Sequence, residues 1–306
     1  MRRRRHRHAG WLIGWWLGWW LGSLVGYGAA QAAPSLEGAH RPALWQTALP
    51  NGGVAYFFGS IHFGRPDFFP FPDPIEVAFA NSDTVVVEID VDNLSPWTLM
   101  QKTAEYGLLT PPVKASDFID PPLWARVVEA AESFSLPVEV IEQQKPWLIV
   151  MSLVALALQR RGLDPNTGVE KYFLARRAHR EVISLESIDS QLQIFDRLGV
   201  QSTNSMLAQT LDDIANPDAV NDLVDAWRFG DDQALVKFSS RFAGPDDIAV
   251  RKAIFDDRNT QMTERLASLF KAGGRFFVIV GAGHFVGPAN ILDQLRERGF
   301  DIERVN

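Results

Sequence analysis

The sequence predicts an α/β fold in which one mixed β-sheet is built from the N- and C-terminal segments, with a large helical insertion in the centre. Three observations lead to it. Apolar runs of strand length, rich in β-branched and aromatic residues, stand near both ends at 54–62, 84–90 and 275–284, each closed by glycines or acids. Between them the pattern is mostly helical and punctuated by Pro and Gly. No segment recurs at a period of about 20 to 50 residues, which excludes solenoids.

Taken in order, residues 1–33 read as an export leader. They comprise a basic MRRRRHRH, an apolar stretch from Trp11 to about Val25, and GYGAAQAAPS with small residues at Ala30 and Ala32. Cleavage after Ala32 is expected. The stretch from Trp11 to Tyr27 is only marginally long enough to cross a bilayer, so an uncleaved anchor to the inner membrane is the alternative. In both cases the body, residues 34–306, is expected outside the cytoplasm, periplasmic or secreted. It would meet a membrane only through this segment.

VAYFFGSIH then reads as a buried strand, PIEVAFANS behind Pro74 as a short helix, and TVVVEID as a second strand. Such a βαβ unit makes its strands parallel and adjacent, or nearly so, with both carboxyl ends on one edge of the sheet. Helices are expected over roughly 96–106, 121–135, 146–161, 169–179, 203–215, 217–229 and 245–272, interrupted by a strand at 181–187. The block Trp147 to Leu158, following Pro146, is too short to span a membrane and reads as a buried core helix. RFFVIVGAGH, PANILDQLRERG and FDIERV close the chain as strand, amphipathic helix and strand.

Composition narrows the chemistry. The 306 residues include no Cys, which removes disulfides, thiolate metal clusters and cysteine nucleophiles. Five arginines belong to the leader, leaving 25 basic against 37 acidic residues in the body. An acidic body argues against nucleic acid as a partner, because phosphate contacts need a basic face. It is compatible with cationic metal ions.

Four histidines follow the leader: His40, His62, His179 and His284. His62 ends FFGSIH and His284 ends VIVGAGH, each three residues after a glycine, Gly59 and Gly281, at the close of an apolar strand. Ligands of open α/β sheets bind beyond the carboxyl ends of strands. The glycine permits either a positive φ or a close backbone approach where the chain turns. Glu88 follows three valines in the first βαβ unit, and period-2 alternation would put Asp90 and Asp92 on its face if the strand continued. Two imidazoles and a half-buried carboxylate form a ligand set for a divalent first-row metal with open positions. The residues do not choose among manganese, cobalt, iron and zinc. Glu186, closing VISLE, is a candidate base or partner of a ligand, and Arg258 beside Asn259 could bind a carboxylate or a polarised carbonyl. Asp164 and Glu170, in GLDPNTGVEKYF, read as turn and cap residues. Ser60 and Ser239 lack the Gly-x-Ser-x-Gly elbow of a serine hydrolase.

LWQTALPNGGVAYFFGSIHFGRPDFFPFPDPIEVAFANSDTVVVEID, GLDPNTGVEKYFLARRAHREVISLESIDSQLQIF and the ending from DDRNTQM to FDIERV together resemble the TraB/GumN family, relatives of the Tiki metalloproteases. The resemblance spans nearly the whole mature chain. It implies an erythromycin esterase/ChaN-like fold and metal-dependent peptidase activity with manganese or cobalt on a peptide or protein substrate. It also implies functional roles for Gly59, His62, Glu88, Gly281 and His284, and for Glu186, Arg258 and Asn259. His-Glu-x-x-His is absent, so ordinary zincin rules do not apply.

The expected function is therefore a metal-dependent hydrolase. His62, Glu88 and His284 would bind the ion, Glu186 or an Asp near 90 would accept a proton, and Arg258 would steady the oxyanion. The alternatives are a haem- or metal-binding envelope protein without turnover and a non-catalytic scaffold of the same fold.

Overall fold

The computed structural model describes residues 40–216, 218–239 and 248–306. The expected leader, and the first residues of the body up to 39, lie outside them. Six strands form one mixed sheet: β1 (Leu44–Leu49), β2 (Gly53–Ser60), β3 (Thr84–Val87), β4 (Glu181–Ser184), β5 (Arg275–Gly281) and β6 (Ile302–Arg304). Their order across the sheet is β4-β3-β5-β2-β1-β6. The inner run β4, β3, β5, β2 is parallel, and β1 is antiparallel to both β2 and β6.

A hairpin opens the fold. β1 turns into β2 through Pro50–Gly52, where Asn51 and Gly52 take φ of 57° and 75°. This is the left-handed region that Asn and Gly enter most readily. LWQTAL is short and interrupted by the polar pair Gln46 and Thr47, which is why no strand is expected there from the sequence. Helix α1 (Asp73–Ala80), with Pro74 in its first turn, then leads to β3. The expected βαβ unit forms with parallel strands, but they do not touch. β5, from the far end of the chain, lies between them and pairs with both.

The middle of the chain supplies α2 (Pro96–Gly107), α3 (Pro121–Ser133), α4 (Val138–Ile141), α5 (Pro146–Arg160) and α6 (Val169–Leu174) before β4. After it come α7 (Ile188–Asp196), α8 (Val200–Ala215), α9 (Ala219–Arg228), α10 (Asp232–Ser239) and α11 (Ile248–Arg251). α11 runs through a π-helical turn at Lys252–Asp256 into α12 (Asp257–Phe270), and α13 (Ile291–Glu297) separates β5 from β6. The single helix expected over 245–272 thus begins outside the described residues and carries a π turn. α7, which Ser187 caps by accepting from Ser190 N–H, and α10 were not anticipated. Among the described residues no helix is long and apolar enough to cross a membrane.

Alternation along the strands sorts the core into two faces. Phe58, Phe277, Ile279 and Val87 pack under Phe71, Phe79 and Phe173. Phe57, Val278, Val280 and Val86 pack against Leu266 and Phe270 of α12 and Leu292 and Leu295 of α13. α5, with Ile149, Val150 and Leu153 buried, shares a third cluster with Leu207 and Leu211 of α8. It is the buried core helix that its apolar run predicts.

Phe277 is fully buried on the central strand, in contact with Phe58, Phe79 and Phe173. Phe277→Ala is expected to lower unfolding stability by about 3–5 kcal/mol, measured by urea denaturation with an unchanged m-value.

Candidate active site

Four parallel strands deliver their carboxyl ends to one rim of the sheet, and the side chains singled out in the sequence arrive there. Ser60 of β2 is level with Gly281 of β5, and Val87 of β3 with Ile279. Past the strand ends the pairing continues, with Leu185 N–H donating to the Val87 carbonyl and Glu186 N–H to that of Glu88. Across the rim stand Glu186, Glu88, His284 and His62.

The two Gly-x-x-His glycines serve close approach rather than positive φ. A Cβ on Gly59 would lie 3.0 Å from both Cα and Cβ of Ala282, where β2 and β5 leave the sheet together. One on Gly281 would lie 3.1 Å from Glu88 Oε1, which accepts the Gly281 N–H at 2.6 Å. Gly59 is fastened from behind, its carbonyl accepting Trp227 Nε1–H at 2.8 Å. Gly283 lets the Phe255 ring, carried by the π turn, come over His284 at 5.4 Å between ring centroids.

Arg258, buried at the start of α12, joins two carboxylates. Its Nη2 lies 2.6 Å from Glu88 Oε2 and 2.6 Å from Glu186 Oε2, and its Nε donates to Glu186 Oε1 at 2.9 Å. Gln191 Nε2 of α7 donates to the same two carboxylates, at 3.0 and 2.8 Å. Burial opposes ionisation of Glu88, yet the Arg258 cation and the Gly281 N–H hold its carboxyl well below the usual carboxylate range.

Asn259, the next residue, fixes His284. Its Nδ2 donates to the Ala289 carbonyl at 2.9 Å, so its Oδ1 faces His284 Nδ1 at 2.6 Å. That geometry assigns the proton to Nδ1 and leaves a lone pair on Nε2, 3.8 Å from Glu88 Oε1. Burial first and Arg258 second push the His284 pKa down to about 3, so the ring is neutral at neutral pH.

His62 is held differently. Its Nδ1 lies 2.9 Å from Glu170 Oε1, which also accepts the Ser60 hydroxyl at 2.5 Å. Desolvation disfavours the charged ring only in part, since 47% of the side chain stays exposed, and the Glu170 carboxylate outweighs it and raises the pKa to about 9. The approach of Glu170 depends on a strap. Gly64 and Asp164 exchange backbone hydrogen bonds at 3.0 and 2.8 Å, and Val169 N–H donates to the Ile61 carbonyl. A Cβ on Gly64 would fall 1.9 Å from the Thr167 carbonyl oxygen, and one on Gly168 would fall 2.3 Å from that of His62.

Asp164 caps the turn by accepting Asn166 N–H, as its sequence context suggests. Glu170, assigned the same bland role, is instead part of the site. The signal that marks it is the placing of Gly64 two residues after His62 and of Gly168 two residues before Glu170. Gln191 was also missed, because its helix was not foreseen. Asp90 and Asp92 do not share the Glu88 face. β3 ends at Val87, the chain turns at Val91–Asn93, and Asp92 faces Arg177. His40 packs against Phe71 and His179 is exposed.

His62, Glu88, Arg258 and His284 line one cavity of about 390 Å³. His284 Nε2 and Glu88 Oε1 are spaced so that two bonds of about 2.0–2.3 Å could reach a single ion. His62 shares the cavity but is turned to Glu170. Among the described residues no three His, Asp or Glu side chains converge on one point as a ready cage. The three expected ligands are therefore neighbours, with two of them at a bridging distance.

A model of the TraB/PrgY/gumN family matches residues 43–304. The chain is similar to "Uncharacterized protein YbaP" of Escherichia coli (strain K12), 23% identical over 81% of this chain and 90% of that protein. It is similar to "Metalloprotease TIKI2" of Xenopus tropicalis, 24% identical over 81% of this chain and 57% of the relative. For "Metalloprotease TIKI1" of Homo sapiens the identity is 23%, over 81% and 59% respectively. The chain thus spans less than two thirds of those metalloproteases. No solved structure matches it.

Removing the shared cation strands two buried carboxylates. Arg258→Leu is expected to cost about 3–5 kcal/mol of stability, and Glu88→Gln with Glu186→Gln in the same chain should recover much of it in urea unfolding. The depressed Glu88 pKa gives a second check. Its contribution is complete above the ordinary value of 4.5 and is lost as pH falls below it. Unfolding stability between about pH 5 and pH 2 should therefore decline less steeply in Glu88→Gln than in the wild type.

Proposed function

From its membership of the TraB/PrgY/gumN family, together with the geometry of the rim, we propose that this chain is a metal-dependent hydrolase that cleaves peptide bonds outside the cytoplasm. The observation that carries this reading is the neutral His284 ring, locked by Asn259 with its Nε2 lone pair toward Glu88 Oε1 in a cavity that His62 also lines. The names of the TIKI relatives support the metal and the peptide substrate. The basic, apolar and small-residue order of residues 1–33 supports the compartment.

His284 and Glu88 would hold the ion, and His62 would join as the third ligand on giving up its Nε2 proton, since only the neutral imidazole ligates a metal. When bound, the metal supplies a Lewis acid that polarises a carbonyl and lowers the pKa of water. Asn259 keeps the metal-facing nitrogen of His284 unprotonated. Glu88 would offer Oε1, which also accepts the Gly281 N–H, while Arg258 and Gln191 occupy Oε2. Glu170 holds the proton on His62 Nδ1 and aims the ring. Glu186, saturated by Arg258 and Gln191, is better placed to anchor the guanidinium than to accept a proton. Manganese or cobalt is the expected ion.

Elemental analysis of the purified full chain, beside a peptide-cleavage assay with added manganese, tests the reading. The wild type should bind about one equivalent of divalent metal and lose cleavage with a chelator. His62→Ala combined with His284→Ala should abolish binding. Retention of stoichiometric metal by that double variant, or cleavage indifferent to chelation, would overturn the assignment.

A further inference from the structure

The helical insertion does more than cover the rim. Among the described residues lining the 390 Å³ cavity, the titratable side chains are His62, Glu88 and His284, carried by strand ends, and Arg258, carried by α12. The rest of the lining is mostly apolar. It includes Met151 and Val154 of α5, Phe195 of α7, Met206 of α8 and Leu223 of α9, with Phe255 of the π turn against His284. The charged groups and the apolar lining therefore share one space.

Size and polarity specify what would fill it. A cavity of about 150 Å³ accepts a benzene ring, so this one has room for two ring-sized or aliphatic side chains. A charge placed against the wall would meet no counter-charge there and would be desolvated at a cost. Beyond His62 and Glu88 lies a second cavity of about 70 Å³, where Glu170, Lys171 and Gln191 stand beside Ile89, Val91 and Pro165. An occupant that crosses the rim thus passes from an apolar chamber to one that offers polar partners as well. A polypeptide, with amide groups along its whole length, suits both, whereas a hydrocarbon chain would leave those polar groups unpaired.

We propose that the insertion forms a specificity pocket for two neighbouring bulky apolar side chains of an extended peptide, on one side of the bond presented to His62, Glu88 and His284. This deepens the hydrolase reading and rests on it. Discrimination follows from the wall. Each methylene in an apolar pocket is worth about 10-fold or more in kcat/KM, so replacing a Phe-Leu pair by Ser-Ser should lower kcat/KM by at least about 100-fold.

Two measurements test the pocket separately from turnover. One is cleavage of a matched peptide set carrying Phe-Leu, Ala-Ala, Ser-Ser or Asp-Ser, together with a long-chain acyl ester. The other is calorimetric binding of acetyl-Phe-Leu amide to the full chain. Val154→Glu and Leu223→Glu put a carboxylate into the wall, and Val154→Trp fills it. Each should weaken binding of the amide at least ten-fold and shrink the Phe-Leu over Ser-Ser ratio, with circular dichroism unchanged. Binding that the variants abolish, without any cleavage, would support the pocket while sinking the hydrolase reading. Cleavage with no side-chain preference, or an acyl ester preferred over every peptide, would overturn the pocket and leave hydrolysis standing.

Discussion

The site depends on one pairing, the parallel register of β2 with β5 that sets Ser60 beside Gly281. Each strand carries its histidine three residues beyond a glycine, so the register decides whether both rings reach the same cavity. A slip of one residue would turn alternate side chains to the opposite face. That outcome is opposed by burial on both faces: Phe57 and Val278 face one layer of helices, and Phe58 and Phe277 the other. The core thereby protects the geometry of groups that contribute little to it.

Electrostatics then divides the two imidazoles. Both sit in one cavity and start from the same intrinsic pKa, yet His284 is driven neutral by burial and Arg258, while His62 is held protonated by Glu170. Environments that push like groups apart are what acid–base and ligand chemistry at one pH requires. Arg258 is central to this division. It compensates Glu88 and Glu186 and at the same time discourages a proton on His284. Without that cation the buried Glu88 carboxylate would be left without a counter-charge.

What could be read from the sequence was what local pattern encodes. Gly59 with His62, Gly281 with His284, and Glu88 after three valines each announce a strand end, and the structure brings all three to one rim. The insertion of β5 between β2 and β3 could not be read, because strand order is settled by long-range pairing and not by either strand's own residues. Asp90 misled because alternation holds only while the strand does, and the turn at Val91–Asn93 ends it. Glu170 was passed over because its approach to His62 rests on the bridge between Gly64 and Asp164, a hundred residues apart. The pairing of Arg258 with Glu88 and Glu186, and of Asn259 with His284, needed the helix to be docked before either side chain acquired a direction.

The helical insertion completes the logic of the rim. A sheet edge lined by an arginine, two carboxylates and two imidazoles would be well solvated if left open, and its interactions would be weak in a high-dielectric medium. α5, α7, α8 and α9 bring Met151, Val154, Phe195, Met206 and Leu223 into the same cavity, so the buried Glu88, Arg258 and His284 act where water is scarce and their fields are less screened, while His62 stays half exposed. In the proposed hydrolase the same wall admits the substrate. An apolar wall can do so without spending a charge pair on recognition, since burying apolar surface is favourable and non-directional. Orientation is then left to the few polar groups of the rim, which are held by Asn259, Glu170 and Gln191. In the proposed hydrolase, recognition falls to the apolar residues of the insertion and reaction to the polar groups at the strand ends.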